Sequence, residues 1–189
     1  MIRWGDSMHG MIHRSAMDMV VAGHGEAAWA SILNSAGLDD AVLIGAQPYP
    51  DEITFRLISA VAAKSGLTVE ETLRSFGQYW IRAADEGPYA NVMNILGGSL
   101  LESLENLDRM HASIQIAMPE ARLPYFAVLE HDETRIKIAY HSTRQGLESF
   151  VTGLLEGMLN RFEKTGKVVF SGNEEDFALF EISLSSDRS

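Results

Sequence analysis

Apolar residues recur along most of the chain at intervals of three and four, the period of helices that bury one face. Such stripes run over 8–21 (Ile12, Ala16, Met19, Val20), 26–36 (Trp29, Ile32, Leu33, Ala36), 51–65 (Ile53, Leu57, Val61) and 69–84 (Leu73, Phe76, Trp80, Ala84). A shorter helix is expected over 89–96. A longer one is expected over 99–116, where Leu100, Leu104, Leu107 and Ile114 share a face. Gly23-His24-Gly25, Gly37, Gly66, Gly87-Pro88 and Gly97-Gly98 separate these segments, and 42–49 reads as a connector ahead of Pro50. Thr68 with Glu71, and Ser99 with Glu102, have the spacing at which a hydroxyl and a carboxylate satisfy the first free N–H groups of a helix.

Past Met118-Pro119 the pattern changes. Residues 123–129 and 135–142 read as two strands joined by the polar turn His131-Asp132-Glu133-Thr134. Residues 145–164 return to a helix with a wide apolar stripe (Phe150, Val151, Leu154, Leu155, Met158, Leu159, Phe162). Strands over 167–171 and 177–184 follow, the last alternating Ala178, Phe180, Ile182 and Leu184 on one face. The expected architecture is α+β: about seven helices and a small four-stranded antiparallel sheet with one helix inserted into it. Residues 1–7 show no periodicity and read as a tail, with 8–189 as a single domain.

Composition narrows the function. A chain of 189 residues, 46% hydrophobic, buries a sufficient core without staples. It has no cysteine, which excludes disulfides, cysteine zinc sites, iron–sulfur clusters and cysteine nucleophiles. A net charge of −11 argues against nucleic acid and anionic membrane surfaces as partners. No apolar run has membrane-spanning length and no signal-peptide core opens the chain, so cytoplasmic residence is expected.

Two stretches carry candidate chemistry. His111 falls on the buried stripe of 99–116, four residues after Leu107 and three before Ile114. A core-facing imidazole needs partners for its ring nitrogens. Two readings stand: a core histidine bonded to a carbonyl, or an imidazole offered to a metal inside an apolar pocket. In Tyr140-His141-Ser142-Thr143-Arg144, strand alternation turns Tyr140, Ser142 and Arg144 to the face that carries Ile136 and Ile138. Two hydroxyls and a guanidinium at one end of an apolar strip suit a carboxylate, although a surface arginine with polar neighbours has the same spelling. A ligand with a metal centre and peripheral carboxylates answers both stretches, and haem is such a ligand.

The run Asn106-Leu107-Asp108-Arg109-Met110-His111, the Pro119 after it, and Tyr140-x-Ser142-x-Arg144 resemble the haem nitric-oxide/oxygen-binding (H-NOX) domain family, which includes the haem domain of soluble guanylate cyclase and stand-alone bacterial proteins. The likeness runs from Met8-His9-Gly10 to the final strand. It implies a fold enclosing a haem b pocket, with His111 as the axial iron ligand, Tyr140, Ser142 and Arg144 on the propionates, and Pro119 on the proximal face. Ile12, Ala16, Trp80, Phe150 and Leu154 would line the distal side. Oxygen-binding members carry a distal tyrosine three residues before the glycine of the helix after the trio. Here that position is Phe150, before Gly153. The resemblance therefore implies a sensor, not an enzyme, that takes NO and CO and discriminates against O₂. On NO binding the iron–His111 bond would weaken and the 99–116 helix would shift. The signal would pass in trans to a histidine kinase or to a cyclic-di-GMP enzyme (a diguanylate cyclase or phosphodiesterase).

Two other readings remain. The fold alone could serve as a haem-free interaction module. His9 and His13, four apart on the first helix, have a spacing found in helical zinc sites and would serve a small metal-dependent hydrolase, though no third ligand is evident.

Overall fold

In a computed structural model the described residues are 7–38, 43–45, 47–87, 89–119 and 121–185. Among them the chain forms β1 (Ser7–His9), α1 (Gly10–His24), α2 (Glu26–Ser35), β2 (Pro48–Pro50), α3 (Asp51–Ser65), α4 (Val69–Glu86), α5 (Ala90–Ile95) and α6 (Leu100–Ala117). There follow β3 (Tyr125–His131), β4 (Arg135–His141), α7 (Glu148–Arg161), β5 (Gly166–Glu174) and β6 (Phe177–Leu184). The seven helices and the four-stranded antiparallel sheet, ordered β3-β4-β6-β5, are those the periodicity predicts, with α7 inserted between β4 and β5.

Local chemistry sets the ends. Thr68 Oγ1 accepts from Glu71 N at 3.1 Å and Glu71 Oε2 accepts from Thr68 N at 2.8 Å, the full reciprocal cap of α4. At α6 only half of that pattern forms. Ser99 Oγ accepts from Glu102 N at 3.3 Å, but the Glu102 carboxylate takes the N–H of Gly98 at 2.9 Å. Gly66, at φ 73°, closes α3 with its N–H on Ala62 O. The β3–β4 turn is tied by Asp132, whose Oδ1 accepts from the N–H groups of Thr134 and Arg135 and from the Thr134 hydroxyl.

Several boundaries differ from the periodicity. β3 runs over Tyr125–His131 rather than 123–129. Ser7 is not tail: β1 pairs antiparallel with β2, Ser7 opposite Pro50 and His9 opposite Pro48, so α1 starts at Gly10 rather than at 8. Prolines at both ends of β2 conceal a strand, because they read as breakers. The rest of the expected tail lies outside the described residues. α7 begins at Glu148 rather than 145, after Gly146 at φ 81°. β5 runs on to Glu174 through a bulge between Phe170 and Gly172.

Three apolar clusters hold the molecule. Val20, Trp29, Ile32, Leu57 and Val61 unite α1, α2 and α3. Leu100, Leu104, Phe126, Ile138, Val151, Leu155, Phe180 and Ile182 join α6 and α7 to the sheet. Between them Ala16, Ile58, Leu73, Phe76 and Leu147 form a smaller bridge. α4 and α7 meet backbone to backbone. A Cβ on Gly77 would strike the Phe150 carbonyl, and one on Gly153 the Arg74 carbonyl. That approach fixes where Trp80, Phe150 and Leu154 stand.

Candidate haem site

α6 brings His111 against the start of β3. Its Nδ1 lies 2.9 Å from Pro124 O. A carbonyl only accepts, so Nδ1 carries the proton and donates. Burial holds the imidazole pKa below its ordinary value, opposed by the Pro124 bond and by Asp108. The ring is therefore neutral at neutral pH, and Nε2 keeps an unprotonated lone pair. A metal-ligating imidazole is fixed in just this way, with its other nitrogen donating to a backbone carbonyl. The ring is half-buried and lies 5.9 Å from Phe126.

Phe126 of β3 also packs on Tyr140 of β4, 5.1 Å away, so one aromatic ring touches both the α6 imidazole and the phenol. Tyr140 is buried and its pKa is raised by desolvation, against the lowering effects of a hydrogen bond with Ser142 and of the Arg144 charge. Ser142 Oγ in turn accepts from Arg144 N at 3.1 Å. The three residues are thus brought together as a connected set, although β4 ends at His141, so Ser142 and Arg144 lie in the segment after the strand and strand alternation does not place them.

Sequence reasoning missed what Arg144 does next. Its Nε reaches both carboxylate oxygens of Asp51 at 3.2 Å, and its Nη1 donates to Arg122 O at 2.9 Å. The arginine side chain is only 7% exposed and the aspartate 18%. Asp51 opens α3, 93 residues away, and no local pattern announces the pair. Pro124, the His111 partner, has no signal in the sequence either.

The remaining expected contacts divide. Ile12 and Phe150 pack against the cluster that contains Ala16, and Phe150 lies 5.4 Å from Phe76. Trp80 and Leu154 pack instead against the cluster of α6 and the sheet, together with Leu107 and Met110 from the helix that carries His111. Ile12, Trp80, Leu107, Met110, Phe150 and Leu154 are all only half-buried, which leaves apolar surface that protein atoms do not cover. Pro119 is exposed, two residues beyond α6, with its carbonyl accepting from Gln115 at 2.8 Å. A neutral imidazole with a free lone pair, uncovered apolar side chains, and a phenol–hydroxyl–guanidinium set together fit a haem. The fit of Arg144 requires the Asp51 pair to be shared or displaced.

The paired histidines do not form a metal centre. His13 is 1% exposed, its Nε2 is 2.7 Å from Thr54 Oγ1, and desolvation lowers its pKa to about 4. His9 caps α1, its Nδ1 accepting from Met11 N at 3.4 Å. Among the described residues no three or more His, Asp or Glu side chains are grouped to hold a metal ion.

Residues 9–169 match the model of the haem-NO-binding (HNOB) family. The chain belongs to the haem-NO-binding family. This is a family of haem-binding gas-sensor domains rather than of catalytic ones. Soluble guanylate cyclase gcy-37 of Caenorhabditis elegans is 30% identical over 166 residues, 86% of this chain and 22% of that protein. Guanylate cyclase soluble subunit beta-2 of Rattus norvegicus is 32% identical over 97 residues, 51% of this chain and 14% of that one. This haem-NO-binding chain therefore spans less than a quarter of those relatives. Among solved structures, a mutant H-NOX protein from S. oneidensis in the Fe(II) ligation state superposes with a TM-score of 0.85 at 22% identity, covering 96% of this chain and 98% of that one. The unliganded Fe(II) H-NOX protein from K. algicida gives 0.80 at 18% identity, covering 95% and 98%. These two likenesses establish the shared fold. No helix among the described residues is long and apolar enough to cross a membrane.

Proposed function

We propose that this chain is a haem-based receptor for NO and CO that discriminates against O₂ and passes its state to a separate signalling protein. The observation that carries the reading is the Nδ1 bond of His111 to Pro124, which leaves Nε2 as a neutral donor atom beside uncovered apolar surface. His111 would hold the iron of haem b. Tyr140, Ser142 and Arg144 would hold its propionates, Pro119 would flank the proximal face, and Ile12, Ala16, Trp80, Phe150 and Leu154 would wall the distal side. When bound, the haem would supply a ferrous iron able to take a diatomic gas.

What the protein adds is selectivity. Bound O₂ gains negative charge and is held by a hydrogen-bond donor, whereas NO binds ferrous haem strongly without one. Phe150 offers no hydroxyl, and Phe76 beside it offers none either. Of the distal wall residues Trp80 alone carries a side-chain donor, its indole N–H, and its ring packs 6.2 Å from Tyr89. A histidine kinase, or a cyclic-di-GMP cyclase or phosphodiesterase, would receive the signal.

A haem-free interaction module is the second reading, and the Arg144–Asp51 pair favours it, because the guanidinium is satisfied without any propionate. One experiment separates the two: visible spectra of the reduced protein, expressed with haem supply, under NO, CO and air. A Soret band that shifts with NO and CO but not with air supports the proposal. A stable oxy spectrum refutes the role of Phe150, and absence of any Soret band selects the haem-free module.

A further inference from the structure

A cavity of about 430 Å³ lies between α1, α2, α3 and α4, apart from the haem site. That is the size range of small-molecule sites. Its apolar wall includes Val20, Ile32 and Val61, three buried residues of the helical cluster, with Ala28 half-buried beside them. The polar groups of its lining are chosen from an unusual set for this protein. The chain has 26 Asp and Glu against 15 Lys and Arg, yet no carboxylate lines the cavity. Lys64 and His24 do, and both side chains are exposed.

Two of the lining hydroxyls are already committed. Ser65 Oγ donates to Val61 O and Thr72 Oγ1 donates to Thr68 O, each at 2.8 Å. The Lys64 ammonium has three protons and directs one at Ser31 Oγ over a long 3.4 Å. The charged group of the lining is thus Lys64, with His24 and the Ser75 hydroxyl beside it on the wall, above an apolar floor with room for several methylenes.

We propose that this cavity binds an aliphatic monocarboxylate of medium chain length, its tail against Val20, Ile32 and Val61 and its carboxylate on Lys64. The site is independent of haem and shares no residue with the haem pocket proposed above. Binding is read by isothermal titration of the purified full chain with hexanoate, octanoate and decanoate below their micelle concentrations. The expected result is saturable one-to-one binding that tightens about fourfold with each added methylene. Lys64→Met weakens decanoate about tenfold, and decanol binds about tenfold more weakly than decanoate. Ala28→Phe fills the cavity and abolishes binding with the circular dichroism spectrum unchanged. Decanoate that binds Ala28→Phe as it binds the parent occupies another place, the haem cavity included, and overturns the assignment. So does the absence of saturable heat. Equal affinity for decanol, or for Lys64→Met, overturns the carboxylate recognition.

Discussion

Asp51→Asn tests how the propionate end of the site is held in reserve. Asp51 and Arg144 meet at 3.2 Å with side chains 18% and 7% exposed. At an effective dielectric of about 20 the Coulomb attraction at that distance is about 5 kcal/mol, most of which desolvation offsets. Breaking a fully buried pair costs about 3–5 kcal/mol and an exposed one about 0–1 kcal/mol. For this intermediate exposure, with an isosteric amide that still accepts a hydrogen bond, the loss in the haem-free protein should be about 2 kcal/mol. In the haem-loaded protein Arg144 has propionates to pair with, so the same substitution should cost about half as much. The difference of about 1 kcal/mol appears as haem held about fivefold more tightly. Urea unfolding of the haem-free form reads the first number, and the rate of haem loss to an excess of scavenging apoprotein reads the second. If Asp51→Asn releases haem faster than the parent, Asp51 steadies Arg144 for the propionate instead of competing with it, and the reasoning fails.

His13, buried with its pKa lowered to about 4 against an ordinary 6.5, binds fewer protons folded than unfolded. Its contribution is therefore full above pH 6.5 and is lost as pH falls from there toward 4. Urea unfolding at pH 7 and pH 5 should differ by about 2 kcal/mol from this group, and a parent-like pH slope in His13→Gln would rule that out. Gly153→Ala, driven into the Arg74 carbonyl, should cost about 2 kcal/mol by parting α4 from α7, whereas Gly23→Ala, with open space around it, should stabilise α1 by about 0.5–1 kcal/mol. Thermal melts of both check the pair, and equal melting temperatures would contradict the packing. Phe150→Tyr places a phenol at the distal position and should yield an oxy spectrum in air where the parent gives none. An unchanged spectrum would show that position 150 does not face the gas.

Much of this was legible in the chain because it is local. The period of three to four placed six of the helices, the glycines on either side of 89–96 bounded the short α5, and Asp132 and the alternation of β6 placed the hairpin and the last strand. Tyr140, Ser142 and Arg144 do come together, but not by alternation: β4 ends at His141, and the set is joined by hydrogen bonds in the segment that follows the strand. What failed to show was long-range or disguised. Asp51 meets Arg144 only once the start of α3 is brought against the segment that follows β4, and Pro124 contributes a backbone carbonyl, which no residue type advertises. β2 hides between two prolines. The close approach of α4 and α7 depends on Gly77 and Gly153 together, and a glycine inside a helix reads alone as a weakness. His13 looked like half of a metal pair by spacing, but burial against Thr54 gave it a partner already.

The central claim is that His111 Nε2 is the atom that holds iron. The direct measurement is the reduced visible spectrum of His111→Gly, expressed with haem supply and examined with and without added imidazole. Haem retention lost in the variant and restored by imidazole, with a Soret band like that of the parent, is the predicted result. A His111→Gly protein that keeps the parent spectrum without imidazole would contradict it.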